Sequence, residues 1–143
     1  MRDTVLIDSN VLLDVISDNP TWSDWCEEML VKLSQTAILA INPVVFAEVS
    51  MRFQTLEEAE EALPLTLFER LNIPHEAAFL AGKYYKKYQT MGGTKSSVLP
   101  EFLIGAHATV SGLRLLTRDV SRYRTYFPGL KLIYPKLISR RPH

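Results

Sequence analysis

Two hydrophobic periods alternate along the chain. Short, largely apolar runs of the kind that become buried strands occur at residues 4–7 (TVLI), 37–41 (AILAI), 113–117 (LRLLT) and 130–134 (LKLIY). Residues 65–73 (LTLFERLNI) read as a further short strand. Segments with helical spacing lie between them. Asp8, Ser9 and Asn10 offer N-cap chemistry for a helix running to about Ser17. Asn19-Pro20 breaks it, and Pro20 opens a second helix carrying Trp22, Trp25, Met29 and Leu33. A third is predicted over 43–53, and Thr55 with Glu58 forms a capping box for a fourth ending near Pro64. An amphipathic helix over 75–90 stops at Gly92-Gly93. Another covers 99–112, with Pro100 in its first turn and Gly112 at its end, and a helical turn is expected near 119–127.

Strands alternating with helices predict an α/β fold with a parallel sheet. No repeat, low-complexity tract or linker interrupts the pattern, so residues 1–143 are expected to form one domain. In such sheets ligands bind beyond the carboxyl ends of the strands. Asp8 and Asp119 lie at two such ends.

Four carboxylates follow from this frame. Asp8 on its own reads equally as a helix cap contributing about 1 kcal/mol, and Asp119 has the same reading. Glu48 sits among Val44, Val45, Phe46, Ala47 and Val49, where an unpartnered carboxylate is costly. Arg52, one turn on, offers an ion pair, and a metal ion is the alternative. Glu101 lies in a first helical turn that favours an acid, and Gly105 and Ala108 on its face predict a close seam with another segment. Asp14 and Asp18, on or just past the first helix, are expected to be exposed. Four acids gathered at one sheet end would repel one another unless a divalent cation joins them. Mg²⁺ or Mn²⁺ suits an all-oxygen donor set, and typically only one or two carboxylates bind Mg²⁺ directly.

Composition narrows the choice of partner. The formal charge of zero hides an asymmetry: residues 1–75 hold 13 acids and 4 bases, whereas residues 76–143 hold 3 acids and 12 bases. Lys83, Lys86, Lys87 and Lys95, interleaved with tyrosines, and Arg118, Arg122 and Arg124 form basic clusters able to track phosphates. Cys26 is alone, which excludes a disulfide framework or a cysteine metal site and points to a cytoplasmic setting. Asp3 and Asp8 interrupt the first apolar run, so no signal peptide is expected, and no stretch is apolar enough to span a membrane.

Taken together, LIDSNVLLD (6–14), Glu48 within INPVVFAEV (41–49), GKYYKKYQTMGG (82–93), VLPEFLIGAHA (98–108) and LLTRDVSRYRTYFPGLKLI (115–133) resemble the PIN-domain family, and within it the VapC-type toxins of toxin–antitoxin pairs. The resemblance spans nearly the whole chain. It implies a three-layer α/β/α fold with a small, mostly parallel sheet and a Mg²⁺- or Mn²⁺-dependent endoribonuclease. Asp8, Glu48, Glu101 and Asp119 would form the pocket, with Asn10 and Thr117 in support. The resemblance also implies an RNA substrate, a cognate antitoxin and a homodimer. Glu101 departs from the family pattern, which usually has Asp there. The extra methylene pushes the carboxylate outward, implying a relaxed site or a weakened enzyme.

Rival readings have less support. A phosphatase using Asp8 as nucleophile would want a second Asp two residues on, where this chain has Asn10. No glycine-rich phosphate loop opens a helix, His75, His107 and His143 lack ligand spacing, and no nucleophile elbow is present. A receiver-like domain lacks its acidic pair near the first strand. A non-catalytic module, whose acidic pocket binds a metal or a partner's arginine without turnover, remains the main alternative.

Overall fold

A computed structural model describes residues 3–95 and 98–136; His143 lies outside the described residues. Five strands form one parallel sheet: β1 (Asp3–Ile7), β2 (Ala37–Ile41), β3 (Glu69–Arg70), β4 (Arg114–Leu116) and β5 (Leu132–Ile133), in the order β3-β2-β1-β4-β5. The helices are α1 (Ser9–Ile16), α2 (Ser23–Ser34), α3 (Pro43–Ser50), α4 (Leu56–Ala62), α5 (His75–Thr90), α6 (Leu99–Ser111) and α7 (Ser121–Tyr126). The result is the expected three-layer α/β/α arrangement.

Strand order explains where a site can form. The chain steps outward from β1 through β2 to β3, then returns across the sheet to β4 on the other side of β1. Right-handed crossovers in opposite directions send the two sets of helices to opposite faces. They diverge at the carboxyl ends of β1 and β4, and this switch point leaves a crevice. The register pairs Ile7 with Leu116, so the residues that follow, Asp8 and Thr117, emerge side by side.

The central strands are apolar because both faces are covered: Val5, Leu6, Ile7, Leu115 and Leu116 are fully buried. The expected strand over 65–73 contracts to Glu69–Arg70, since only two residues pair with the edge of β2. The ends at Thr55 and Gly112 follow the predicted chemistry, whereas α2 starts at Ser23 and not at Pro20. Asn42 caps α3 by accepting from Val45 N at 3.0 Å, and the Thr55–Glu58 capping box is formed. Gly112 adopts a left-handed φ of 67°, and Leu113 N reaches back to Ala108 O at 2.8 Å to close α6. His107, an ordinary helix residue by sequence, is buried and shares a 3.0 Å hydrogen bond between its Nδ1 and Asn42 Nδ2. Burial there lowers its pKa, so the ring is held neutral as a core hydrogen-bonding group.

Candidate active site

Asp8 occupies the N-cap position of α1, yet its side chain makes no capping bond. The carboxylate instead turns across the switch point. Its Oδ2 accepts from Tyr123 Oη at 2.8 Å, from Thr117 Oγ1 at 2.9 Å and from Asn10 Nδ2 at 3.3 Å. These donors come from α7, the end of β4 and α1, so one oxygen gathers three parts of the chain. Thr117 Oγ1 in turn accepts from Asn10 Nδ2 and from Asp119 N, both at 3.2 Å. Its single proton has two acceptors in range, Asp8 Oδ2 at 2.9 Å and Asp119 O at 3.2 Å, and the shorter contact, to the carboxylate, is the stronger. Asn10 Oδ1 completes the web by accepting from Arg118 N at 3.3 Å.

Asp8 is only 4% exposed. Burial pushes its carboxyl up from 3.8 to about 6; the hydrogen bonds from Tyr123 and Thr117 oppose the rise, and the negative charges of Glu48 and Glu101 add to it. The structure thus brings two of the other predicted acids, Glu48 and Glu101, within electrostatic reach of Asp8. Glu48, half-buried on α3, accepts from Ser9 Oγ at 2.6 Å, and Arg52 is exposed, so a serine hydroxyl occupies the place the sequence suggested for an ion pair. Glu101, in the first turn of α6, accepts from Arg122 Nε at 2.5 Å. Asp119 is exposed and its Oδ1 accepts from Ser121 N at 3.3 Å and Ser121 Oγ at 3.1 Å, fastening the entry to α7. It does not figure among the charges acting on Asp8.

Among the described residues, no three His, Cys, Asp or Glu side chains converge closely enough to cage an ion. The donor chemistry nonetheless suits a hard cation, because Asp8, Glu48 and Glu101 present only carboxylate oxygens. All three hydrogen bonds to Asp8 address Oδ2. These residues fit an ion held by one or two carboxylates with water completing its shell, as Mg²⁺ prefers, better than an ion enclosed by protein.

Two readings change. Asp14, expected at the surface, is 4% exposed and forms a two-point ion pair with the Arg118 guanidinium, whose second contact is 3.3 Å, while Cys26 Sγ lies 3.9 Å away. The α2 helix covers this side of α1, bringing Cys26 and Trp22 over it. Arg118 is therefore committed to Asp14 and lies 5.7 Å from the Trp22 ring centroid. Lys83, Lys86, Lys87 and Lys95 are exposed along α5 and the turn after it, as a phosphate-tracking surface requires.

Tyr123 and Ser9 were not anticipated. Tyr123 is masked in sequence by flanking arginines, but Tyr123, Tyr126 and Phe127 share the spacing of an apolar helical face. That face packs on α6 through the seam predicted from Gly105. A Cβ at Gly105 would lie 2.5 Å from the Phe127 ring and 3.1 Å from Tyr123, so only glycine fits without displacement. Edge-to-face contacts of Phe102 with Tyr126 (5.0 Å) and Tyr84 with Phe127 (5.2 Å) tie α5, α6 and the end of α7 together and so hold Tyr123 against Asp8.

Comparisons with known proteins match this picture. The PIN-domain family model matches residues 5–128. A search of curated proteins finds no match. Among solved structures, VapBC2 from Rickettsia felis bound to promoter DNA is similar at 20% identity with a TM-score of 0.71, covering 93% of this chain and 99% of that one. A toxin–antitoxin complex from Klebsiella pneumoniae is similar at 22% identity and 0.65, covering 90% and 95% respectively. FitAcB from Neisseria gonorrhoeae is similar at 18% and 0.66, covering 90% and 96%. At these identities the likeness is one of fold.

Proposed function

The chain belongs to the PIN-domain family, and from that premise we propose that it is a divalent-metal-dependent endoribonuclease, the toxin of a toxin–antitoxin pair. The observation that carries the reading is Asp8: a carboxylate buried at the sheet's switch point, held by neutral donors and facing two further carboxylates. Stability alone does not favour such a group, and a carboxyl perturbed by burial at a sheet's switch point supports a working site.

Asp8 and Glu101 are the direct ligands in this reading, with Glu48 and Asp119 contributing directly or through water. Mg²⁺ or Mn²⁺ bound there would supply an acidified water as nucleophile and positive charge for the phosphate. Tyr123, Thr117 and Asn10 fix the Asp8 carboxylate through Oδ2, which leaves Oδ1 for a cation, and the bonds from Tyr123 and Thr117 favour its ionised form. Ser9 orients Glu48 in the same way. The basic side chains of α5 hold flanking phosphates and offset the repulsion between an acidic crevice and a polyanion. A cognate antitoxin and a homodimer are proposed partners, supported by structural neighbours that are themselves toxin–antitoxin complexes. No helix among the described residues is long and apolar enough to cross a membrane.

The test is cleavage of a structured RNA pool by purified protein with Mg²⁺ or Mn²⁺, then with EDTA. Cleavage is expected to require the ion and to fall by about 10²–10³ in Asp8→Asn. Cleavage that survives both changes would refute the assignment. The Glu101–Arg122 pair favours a second reading, a module that binds metal or RNA without turnover; binding without cleavage would select it.

A further inference from the structure

Three arginines follow β4, one in the loop after it and two on α7, and their partners differ. Arg118 is held by the buried Asp14, and Arg124 lies 4.6 Å from the Tyr134 ring centroid. Arg122 pairs with a carboxylate of the crevice itself, donating from Nε to Glu101, with the Tyr88 ring 5.6 Å from its guanidinium carbon. Glu101 and Asp119 both act on its charge.

This pairing sets up a competition. Glu101 is one of the two carboxylates whose charge bears on Asp8, so it belongs to the group that would receive a cation. While it is bound to a guanidinium, its donor capacity is partly taken and its charge is offset. A cation at Glu101 would in turn repel Arg122. The pair is 28% and 38% exposed, which makes it worth only a few-fold in an equilibrium constant and therefore exchangeable. An RNA phosphate offers a guanidinium the same two-oxygen acceptor that Glu101 offers.

We propose that Arg122 is an exchange residue: paired with Glu101 in the free protein, it competes with the divalent cation for that carboxylate and transfers to a phosphate of the RNA when both bind. The inference rests on the metal-dependent reading above and adds a mechanism by which substrate promotes metal loading. Arg122 here acts on Glu101 and on phosphate, and takes no proton.

The experiment measures Mn²⁺ affinity of the full chain by electron paramagnetic resonance, with no substrate present. Wild type is compared with Arg122→Ala, Arg124→Ala and Asp8→Asn. Arg122→Gln, which keeps an aliphatic stem over Tyr88, guards against lost packing, and circular dichroism checks the fold. Arg122→Ala and Arg122→Gln are expected to tighten Mn²⁺ by roughly threefold to fivefold. Arg124→Ala removes the same charge from the same helix and should change affinity less. A phosphorothioate RNA resistant to cleavage, followed by anisotropy in Mn²⁺, should bind several-fold more weakly to both Arg122 variants. Unchanged or weaker Mn²⁺ binding in the Arg122 variants would overturn the exchange, as would equal tightening in Arg124→Ala or unchanged RNA affinity. If wild type and Asp8→Asn bind Mn²⁺ alike, or neither binds it, the metal-dependent reading itself falls.

Discussion

Asp8 and Asp14 stand at opposite ends of the same helix and are equally buried, each 4% exposed, but the chain treats them differently. Asp14 has a full cationic partner, Arg118, in a two-point contact. Asp8 has only the neutral donors Tyr123, Thr117 and Asn10, and its charged neighbours are the acids Glu48 and Glu101. Burial of a charge is compensated in the first case and left open in the second. Asp14 therefore reads as architecture, joining α1 to the loop after β4. Asp8 is left without a cation from the protein itself, at a cost in stability.

Opposite effects of substitution would sharpen that contrast most. In metal-free buffer, Asp8 has a folded pKa of about 6 against 3.8 for the unfolded chain. Its protonated form therefore favours folding: that stabilisation is complete below about pH 3.8 and is lost as pH rises through 6. Above pH 7 the ionised group costs about 3 kcal/mol. Asp8→Asn should be more stable than wild type at pH 8 by up to about that amount, with the gain fading towards pH 4. Asp14→Ala should lose about 3 kcal/mol at pH 8 because it strands a half-buried guanidinium. Urea denaturation in EDTA at several pH values measures both, and the same sign for the two would break the comparison.

A smaller effect is expected at the seam that places Tyr123. Gly105→Ala forces a methyl group against Phe127, with an expected loss of about 1–3 kcal/mol. Because the displaced aromatic face carries Tyr123, RNA cleavage should decline along with thermal stability. Full activity in a destabilised variant would show that Asp8 does not depend on α7 for its position.

The least disruptive change is Tyr123→Phe. It removes one charge-assisted bond, with an expected loss of about 1–2 kcal/mol at pH 8. The tyrosine hydroxyl opposes the rise in the Asp8 pKa, so its removal should move the Asp8 titration to higher pH. Carboxyl-carbon NMR on the metal-free protein would follow that shift directly. A fall instead would mean that the hydroxyl does not stabilise the carboxylate.

Much of the fold was legible because local chemistry dictated it. Apolar runs ended by Asp8 and Asn42, the Thr55–Glu58 box and Gly112 each act within a few residues. The edge strand was harder: residues 65–73 carry strand-like apolar content, but pairing depends on what β2 offers, and only Glu69–Arg70 receive it. For the site, Glu48 stood out alone as an acid within an apolar helix, whereas Asp8 and Glu101 had ordinary cap and dipole readings and were singled out only as members of a set. Asp14 was misplaced because its burial comes from α2 folding over α1, a long-range event. Tyr123 was hidden by the arginines beside it.

The sequence by itself determined the alternation of strands and helices, several of the helix ends and a set of acids worth following. These are matters of local propensity and of short-range hydrogen bonding. Only the tertiary structure decided which acid received a cation, which received neutral donors and which was met by Arg122. The first two choices join groups more than a hundred residues apart, Asp14 with Arg118 and Asp8 with Thr117 and Tyr123, and the third joins Glu101 to Arg122 across 21. Electrostatic energy depends on distance and burial, and for residues so far apart both are set by the sheet order and by the helices packed across it.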